Sequence, residues 1–166
     1  MASANQNMGL AVCRGCSIGE CLDVEKLIGV ASEEVENLSC IQHPALCSEA
    51  GLQEIHNLIT EQGTSRLAIA ACSPRVKSEQ FRMDNLYVDR INLREQVVWV
   101  MDPEDEDTQM CAEDQVRMVL AKLDSISNIN PYVPETVSSD ILVVGGGVTG
   151  LTAALEGAAA GYRVHL

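Results

Sequence analysis

Leu67-Ala-Ile-Ala-Ala-Cys-Ser-Pro-Arg75 is a short aliphatic run that ends abruptly in a thiol, a hydroxyl, a proline and a cation. The apolar stretch from Arg66 to Cys72 is what a strand buried on both faces of a parallel sheet requires. Ser73-Pro74 prevents its continuation as strand or helix. Cys72 is thereby left at the carboxyl end of a central strand, the rim on which open α/β sheets bind ligands. Arg75 follows three residues later and is expected to act on that thiol or on an anionic group held by it. Of the seven cysteines, six can be assigned to the same rim, all but Cys111.

Working outward, Gly9–Cys13 reads as a first strand, and Cys13-Arg-Gly-Cys16 and then Cys21 follow it. Asp23 is placed to cap a helix whose Val24, Leu27, Ile28 and Ala31 recur at helical intervals. A second strand is expected within Val35–Ile41, carrying Cys40 and broken by Gln42-His43-Pro44. Cys47-Ser48 opens a helix with Leu52, Ile55 and Ile59 on one face, which Gly63 closes. Beyond the central run, Asn85–Leu93 reads as a fourth strand, and Arg94–Val100 fits either a short helix or an extended turn. Asp102, Pro103 and the acidic run Glu104–Asp107 mark a helix start. Val116, Val119, Leu120, Leu123 and Ile126 give that helix an apolar stripe over about 103–127. Trp99 and Phe81 are expected in the core, and Cys111, off the stripe, at the surface.

The segment 128–139 is polar with two prolines and reads as a linker. A second unit then starts with the strand Ile141–Val144, the turn Gly145-x-Gly147-x-x-Gly150 and an alanine-rich helix Leu151–Ala160. Gly161 stops that helix, and Tyr162–Leu166 begins another strand. A glycine triplet between strand and helix is the fingerprint of a dinucleotide-binding turn. The first glycine turns the chain, the second admits the pyrophosphate, and the third lets helix and strand touch. The acidic residue that grips the ribose is expected about 20 residues further on, past Leu166. The sequence as written therefore reads as the amino-terminal piece of a longer protein, and it should bind FAD weakly or not at all.

At 166 residues with 46% apolar content, the chain can fill one aliphatic core, aromatics being only 3%. A net charge of −13 without a basic stripe argues against nucleic acid as a partner. Residues 1–8 lack the basic start and long apolar core of a signal peptide, and no run approaches a membrane span, so the chain is expected in the cytoplasm. In that compartment clustered cysteines read as metal ligands or redox thiols rather than a disulfide framework. Loops after parallel strands converge, so thiols distant in sequence can share one inorganic centre, and four thiolates are what an iron–sulfur cube needs. The expected ligands are Cys13, Cys16, Cys47 and Cys72, with Cys40 and then Cys21 in reserve. Zinc is the rival metal, with Cys40-x2-His43-x3-Cys47 as a contributing set, although His43 suits a turn better. A structural zinc or scaffold domain, and a thiol–disulfide enzyme using Cys13-x-x-Cys16, are the competing functions. In the latter case Ser17-Ile-Gly-Glu would separate the thiols from any helix. Arg94-Glu95-Gln96 could face the cysteine rim or form an ordinary surface cluster. His56 and His165 receive no role, and no Ser/His/Asp set or paired carboxylates suggest a hydrolase.

Cys72-Ser-Pro-Arg75 with Asn92-Leu-Arg-Glu-Gln96 after it, Cys47 before Gly51-x-x-Glu54-Ile55, and Ile141-Leu-Val-Val-Gly-Gly-Gly147 together resemble the amino-terminal part of the A subunit of heterodisulfide reductase. The resemblance runs from about Gly9 to Leu166. Methanogen-type members usually begin Cys-x-Cys, whereas Cys13-x-x-Cys16, Cys40 and the phrase Asp89–Trp99 look more like the heterodisulfide reductase-like branch found in sulfur-oxidising bacteria. The resemblance implies an oxidoreductase subunit for electron transfer that bears FAD, with one [4Fe–4S] cluster in this region. It also implies partner iron–sulfur subunits, a lipoate-carrying protein as sulfur donor and NAD as electron acceptor, with a homodimer open. The expected architecture is α/β: a small parallel, Rossmann- or flavodoxin-like sheet in a cysteine-rich domain (1–127), a linker (128–139), and an incomplete FAD- or NAD-binding βαβ unit (140–166).

Overall fold

The computed structural model describes residues 7–83, 86–126, 133 and 135–166, so most of the amino-terminal half of the expected linker lies outside the described residues. The chain forms two compact units, Met1–Ser127 and Asn128–Leu166.

In the first unit, β1 (Met8–Cys13), β2 (Ser39–His43), β3 (Arg66–Ala71) and β4 (Tyr87–Asn92) make one parallel sheet in the order β2-β1-β3-β4. The two inner strands are the two apolar runs. Every residue of β1 is buried, as is every residue of β3 after Arg66, because helices cover both faces. The outer strands carry Gln42, Arg90 and Asn92 and are only half-buried.

Two crossover helices, α2 (Val24–Glu34) and α3 (Glu49–Gln62), join the first three strands. Because the chain steps from β1 to β2 on one side and then back past β1 to β3, right-handed crossovers place α2 and α3 on opposite faces. Gly9 of β1 lies against α3, where a Cβ would come within 3.2 Å of Leu58 and 3.0 Å of Thr64. On the other face α2 packs on α4 (Glu106–Ser125), whose Ala112, Val116, Leu120 and Leu123 are buried. Arg66, at the start of β3, donates to the carbonyls of Asp124 (3.0 Å) and Ile126 at the end of α4. The expected caps are present: Asp23 accepts from Lys26 N at 3.2 Å, Ser48 from Gly51 N at 3.1 Å, and Gly63 ends α3 at φ 61°.

Four local features depart from the sequence reading. β2 starts at Ser39, after Asn37 turns the chain at φ 59°, and runs through Gln42 and His43 instead of breaking there, so that only Pro44 ends it. A single helical turn, α1 (Ile18–Cys21), fills the segment between the first thiols and α2. α4 begins later than 103 because Glu104 is left-handed (φ 58°) and cannot continue a helix. Asp105 rather than Asp102 provides the cap, accepting from Asp107 N at 2.9 Å, while the Asp102 carbonyl accepts from Thr108 Oγ1 at 2.7 Å. Finally, Arg94–Val98 is a π-helical turn, closed by Trp99 N on the Arg94 carbonyl at 2.9 Å. Val97 and Val98 take its inward positions, so Trp99 turns out to solvent at 64% exposure instead of joining the core. Phe81 is buried as expected.

In the second unit, β5 (Ile141–Leu142) and β6 (Val164–His165) pair in parallel across α5 (Val148–Ala159). The helix starts three residues earlier than its apolar composition suggests, with Gly147 as its first cap position.

Candidate functional site

A sheet ordered β2-β1-β3-β4 reverses its direction of growth between β1 and β3, and the crevice beyond the carboxyl ends of those strands is where such folds place ligands. Cys13 is the last residue of β1, level with His43 at the end of β2, and Arg14 N donates to the His43 carbonyl at 2.9 Å. Cys16 lies in the turn that follows. Gly15 makes that turn possible, since a Cβ there would sit 2.3 Å from the Pro44 carbonyl oxygen. Cys47 ends the loop after β2, directly before the α3 cap Ser48, whose hydroxyl donates to the Ala45 carbonyl at 2.7 Å. Cys72 is the first residue past β3. Four thiols therefore stand on three neighbouring loops of one rim. All are free; Cys13 is buried, Cys72 half-buried, and Cys16 and Cys47 exposed. As their side chains are placed, no three His, Cys, Asp or Glu among the described residues come together to grip a metal ion.

Two guanidinium groups from the β4 side complete the rim. Arg90 Nη2 donates to the Cys72 carbonyl (2.8 Å) and sulfur (3.3 Å), and Arg94 Nη1 reaches the Cys16 sulfur at 3.5 Å. Glu95 holds the arrangement. It accepts from Ser73 N at 2.7 Å and from Arg94 through Nε (3.2 Å) and Nη2 (2.6 Å). Burial works against its carboxylate, but the Arg94 and Ser73 donors outweigh burial and keep its pKa below the usual range. Arg94 is shifted up, chiefly by its bond to Glu95. Arg90 is shifted down by burial, opposed by its contact with Cys72. Arg94 and Glu95 thus face the cysteine rim, whereas Gln96 is exposed.

Several expected residues stand elsewhere. Cys40 is level with Leu10, three residues short of the rim, or about 10 Å along the strand. β2 continues through Gln42 to His43 and so leaves it there, where burial raises its thiol pKa. Cys40 and His43, three apart in one strand, point to opposite sheet faces. His43 Nδ1 is occupied by Ala45 N–H at 3.0 Å, so this histidine serves the turn and the zinc set is not assembled. Cys111 is half-buried against the core, not a surface thiol. Arg75 is exposed, and its backbone N–H bonds Ser73 Oγ at 3.3 Å. The cation on Cys72 is Arg90 instead. Arg90 has no sequence signal beyond a charge in a strand, because only the pairing of β4 beside β3 brings it to Cys72.

The three glycines of the second unit sit differently in the turn. Gly145 sits at φ 115°, and a Cβ on Gly150 would fall 1.8 Å from the Gly145 carbonyl oxygen. Gly147, at the start of α5, faces open space within 4 Å. Backbone N–H groups at a helix start with clear space before them suit a phosphate.

The donor chemistry fits an iron–sulfur centre at the rim: four unpaired thiols, with guanidinium N–H groups on two of them. Arg90 Nε is buried without a partner among the described residues, a state that costs about 1–3 kcal/mol. The glycine cradle likewise fits a dinucleotide pyrophosphate.

No family model matches the chain. Among characterised proteins, it is 33% identical over 96% of its length to the A subunit of the H(2):CoB-CoM heterodisulfide,ferredoxin reductase of Methanothermobacter thermautotrophicus. It is 28% identical, again over 96% of its length, to an iron-sulfur A subunit of the CoB–CoM heterodisulfide reductase of Methanopyrus kandleri. It is 28% identical over its full length to a protein of Archaeoglobus profundus described as like the A subunit of heterodisulfide reductase. In each case the chain spans 25% of the relative. Over nearly its whole length, the chain is thus similar to a quarter-length portion of the A subunit of heterodisulfide reductase.

Proposed function

We propose that the first unit is an iron–sulfur electron-transfer module, with Cys13, Cys16, Cys47 and Cys72 as the thiolate ligands of one [4Fe–4S] cluster. The observation that carries this reading is the placement of those four thiols on adjoining loops at the β1/β3 switch point. The name of the Methanopyrus kandleri relative, an iron-sulfur subunit, supports it. When bound, the cluster supplies reversible one-electron storage. The chain's own contribution is positional: β1 and β3 fix Cys13 and Cys72, Gly15 seats the Cys13–Cys16 turn against Pro44, and Glu95 holds the Ser73 backbone and Arg94. In the second unit, Gly145, Gly147 and Gly150 form the pyrophosphate-holding start of an FAD site.

In this reading the protein is part of an oxidoreductase that works in the cytoplasm on disulfide–thiol or sulfur-oxidation chemistry. Its partners are other iron–sulfur subunits and a lipoate-carrying protein. The sulfur-oxidising assignment rests on Cys13-x-x-Cys16, Cys40, the short segment after Arg75 and the phrase Asp89–Trp99.

The test is a serine scan. The chain, produced with iron and purified without oxygen, should hold about four irons. Single Ser substitutions at positions 13, 16, 47 and 72 should each lower that content, while Cys111→Ser should not. Full iron retention by Cys72→Ser would remove that residue from the ligand set. One zinc and no iron would refute the reading. For the second unit, any FAD-induced shifts should need millimolar FAD and centre on the amide resonances of Gly145–Gly150, and shifts centred elsewhere would contradict the cradle.

A further inference from the structure

Arg90 lies in the middle of β4, level with Ile69 of β3, yet its side chain reaches past the end of β3 to the thiol loop. One nitrogen, Nη2, donates to the Cys72 carbonyl, the Cys72 sulfur and, at 3.4 Å, the Ser73 carbonyl. The guanidinium lies 4.3 Å from the centre of the buried Phe81 ring. The group is therefore held between a ring and a loop backbone. Its Nε has no acceptor among the described residues. Cys72, Glu95 and Cys13 favour its charge, against the effect of burial.

We propose that Arg90 sets the reduction potential of the rim's iron–sulfur centre through its N–H···S bond and fixed positive charge at Cys72. The inference rests on the ligand assignment above. Reduction of such a cluster adds one electron and no proton, and the added charge spreads over the irons and the sulfurs. A guanidinium fixed 3.3 Å from a ligand sulfur stabilises the reduced form more than the oxidised one. It therefore raises the potential, since hydrogen bonds to ligand sulfurs and local charge are the protein's main means of tuning. Partial burial weakens the screening of that charge. Arg75, two residues past Ser73, is exposed and should contribute little.

The experiment is a potentiometric titration of the iron-loaded chain with dithionite and redox mediators, read by absorbance and by the spin signal of the reduced centre. It compares the unaltered chain with Arg90→Gln, Arg90→Lys and Arg75→Gln. At the midpoint of the unaltered chain, Arg90→Gln should show a reduced-to-oxidised ratio about tenfold lower, a downward shift of ~59 mV for one electron. Arg90→Lys keeps the charge but loses the planar fork, and should fall between. Arg75→Gln should stay within about twofold. The inference is overturned if Arg90→Gln retains iron and its ratio stays within about twofold, or if Arg75→Gln shifts as far. Should Arg90→Gln lose its iron, Arg90→Lys decides: a lowered midpoint supports the inference and an unchanged one overturns it. If the unaltered chain takes up no iron, the ligand assignment itself fails and this inference falls with it.

Discussion

Replacing Gly15 by alanine tests whether the first two cysteine loops are locked together. A Cβ at this position would lie 2.3 Å from the Pro44 carbonyl oxygen, with Cys13 Sγ at 3.7 Å. The clash is with backbone, so no side chain can swing aside, and the two loops must separate by the better part of an ångström. Overpacking of this kind costs about 1–3 kcal/mol. The Arg14 N–His43 carbonyl bond, 2.9 Å long and one residue away, would be stretched with it. Gly29, on α2 with nothing within 4 Å of its Cβ position, is the matched control. There alanine should stabilise by about 0.5–1 kcal/mol through helix propensity. Urea unfolding of both variants under reducing, oxygen-free conditions reads the difference. Gly15→Ala should unfold at lower urea with the slope unchanged and bind less iron, and Gly29→Ala should unfold at higher urea with iron unchanged. A Gly15→Ala chain as stable and as iron-rich as the unaltered one would refute the packing argument.

Cys40→Ala should leave iron content unchanged, because Cys40 lies about 10 Å short of the rim; loss of iron would return it to the ligand set. Glu95→Gln should cost roughly 1.5–3 kcal/mol near neutral pH, the usual range for hydrogen bonds to a charged group, as read by urea midpoints. Because the folded carboxyl pKa is lowered, its stabilisation is complete above the unfolded value of about 4.3 and fades as pH falls through the folded value. The gap between the two proteins should therefore close on acidification below about pH 4; a constant gap would contradict this. Trp99→Ala should cost under ~1 kcal/mol, the scale of its cation–π contact with Arg94. A loss of 3 kcal/mol or more, about the lower end for a buried aromatic, would show that the ring is not on the surface.

The inner strands were legible because burial on both faces leaves an uninterrupted aliphatic record, as in Leu67–Ala71 and Met8–Val12. Asp23, Ser48 and Gly63 announced their helix ends, since capping is local chemistry between neighbours. The start of α4 was misplaced because Asp102-Pro103 carries the same local signal as a cap, while the left-handed Glu104 carries none. Trp99 looked like core because its size favours burial, and the π-helical turn that rotates it outward has no sequence signature. Cys13, Cys47 and Cys72 could be assigned to one rim from strand ends alone. Cys40 could not, because β2 runs through Gln42 to His43, two residues past the expected break, and leaves Cys40 in mid-strand. Arg90 was invisible for a different reason: its contact with Cys72 spans two strands and exists only through the β3–β4 register.

The central claim is that four cysteines at the switch point hold an iron–sulfur cluster. Iron and acid-labile sulfide, measured per chain on protein produced with ample iron and never exposed to oxygen, test it most directly. The expected result is a brown protein with about four of each and a spin signal that emerges on reduction. A colourless protein that carries no sulfide under the same conditions would contradict it.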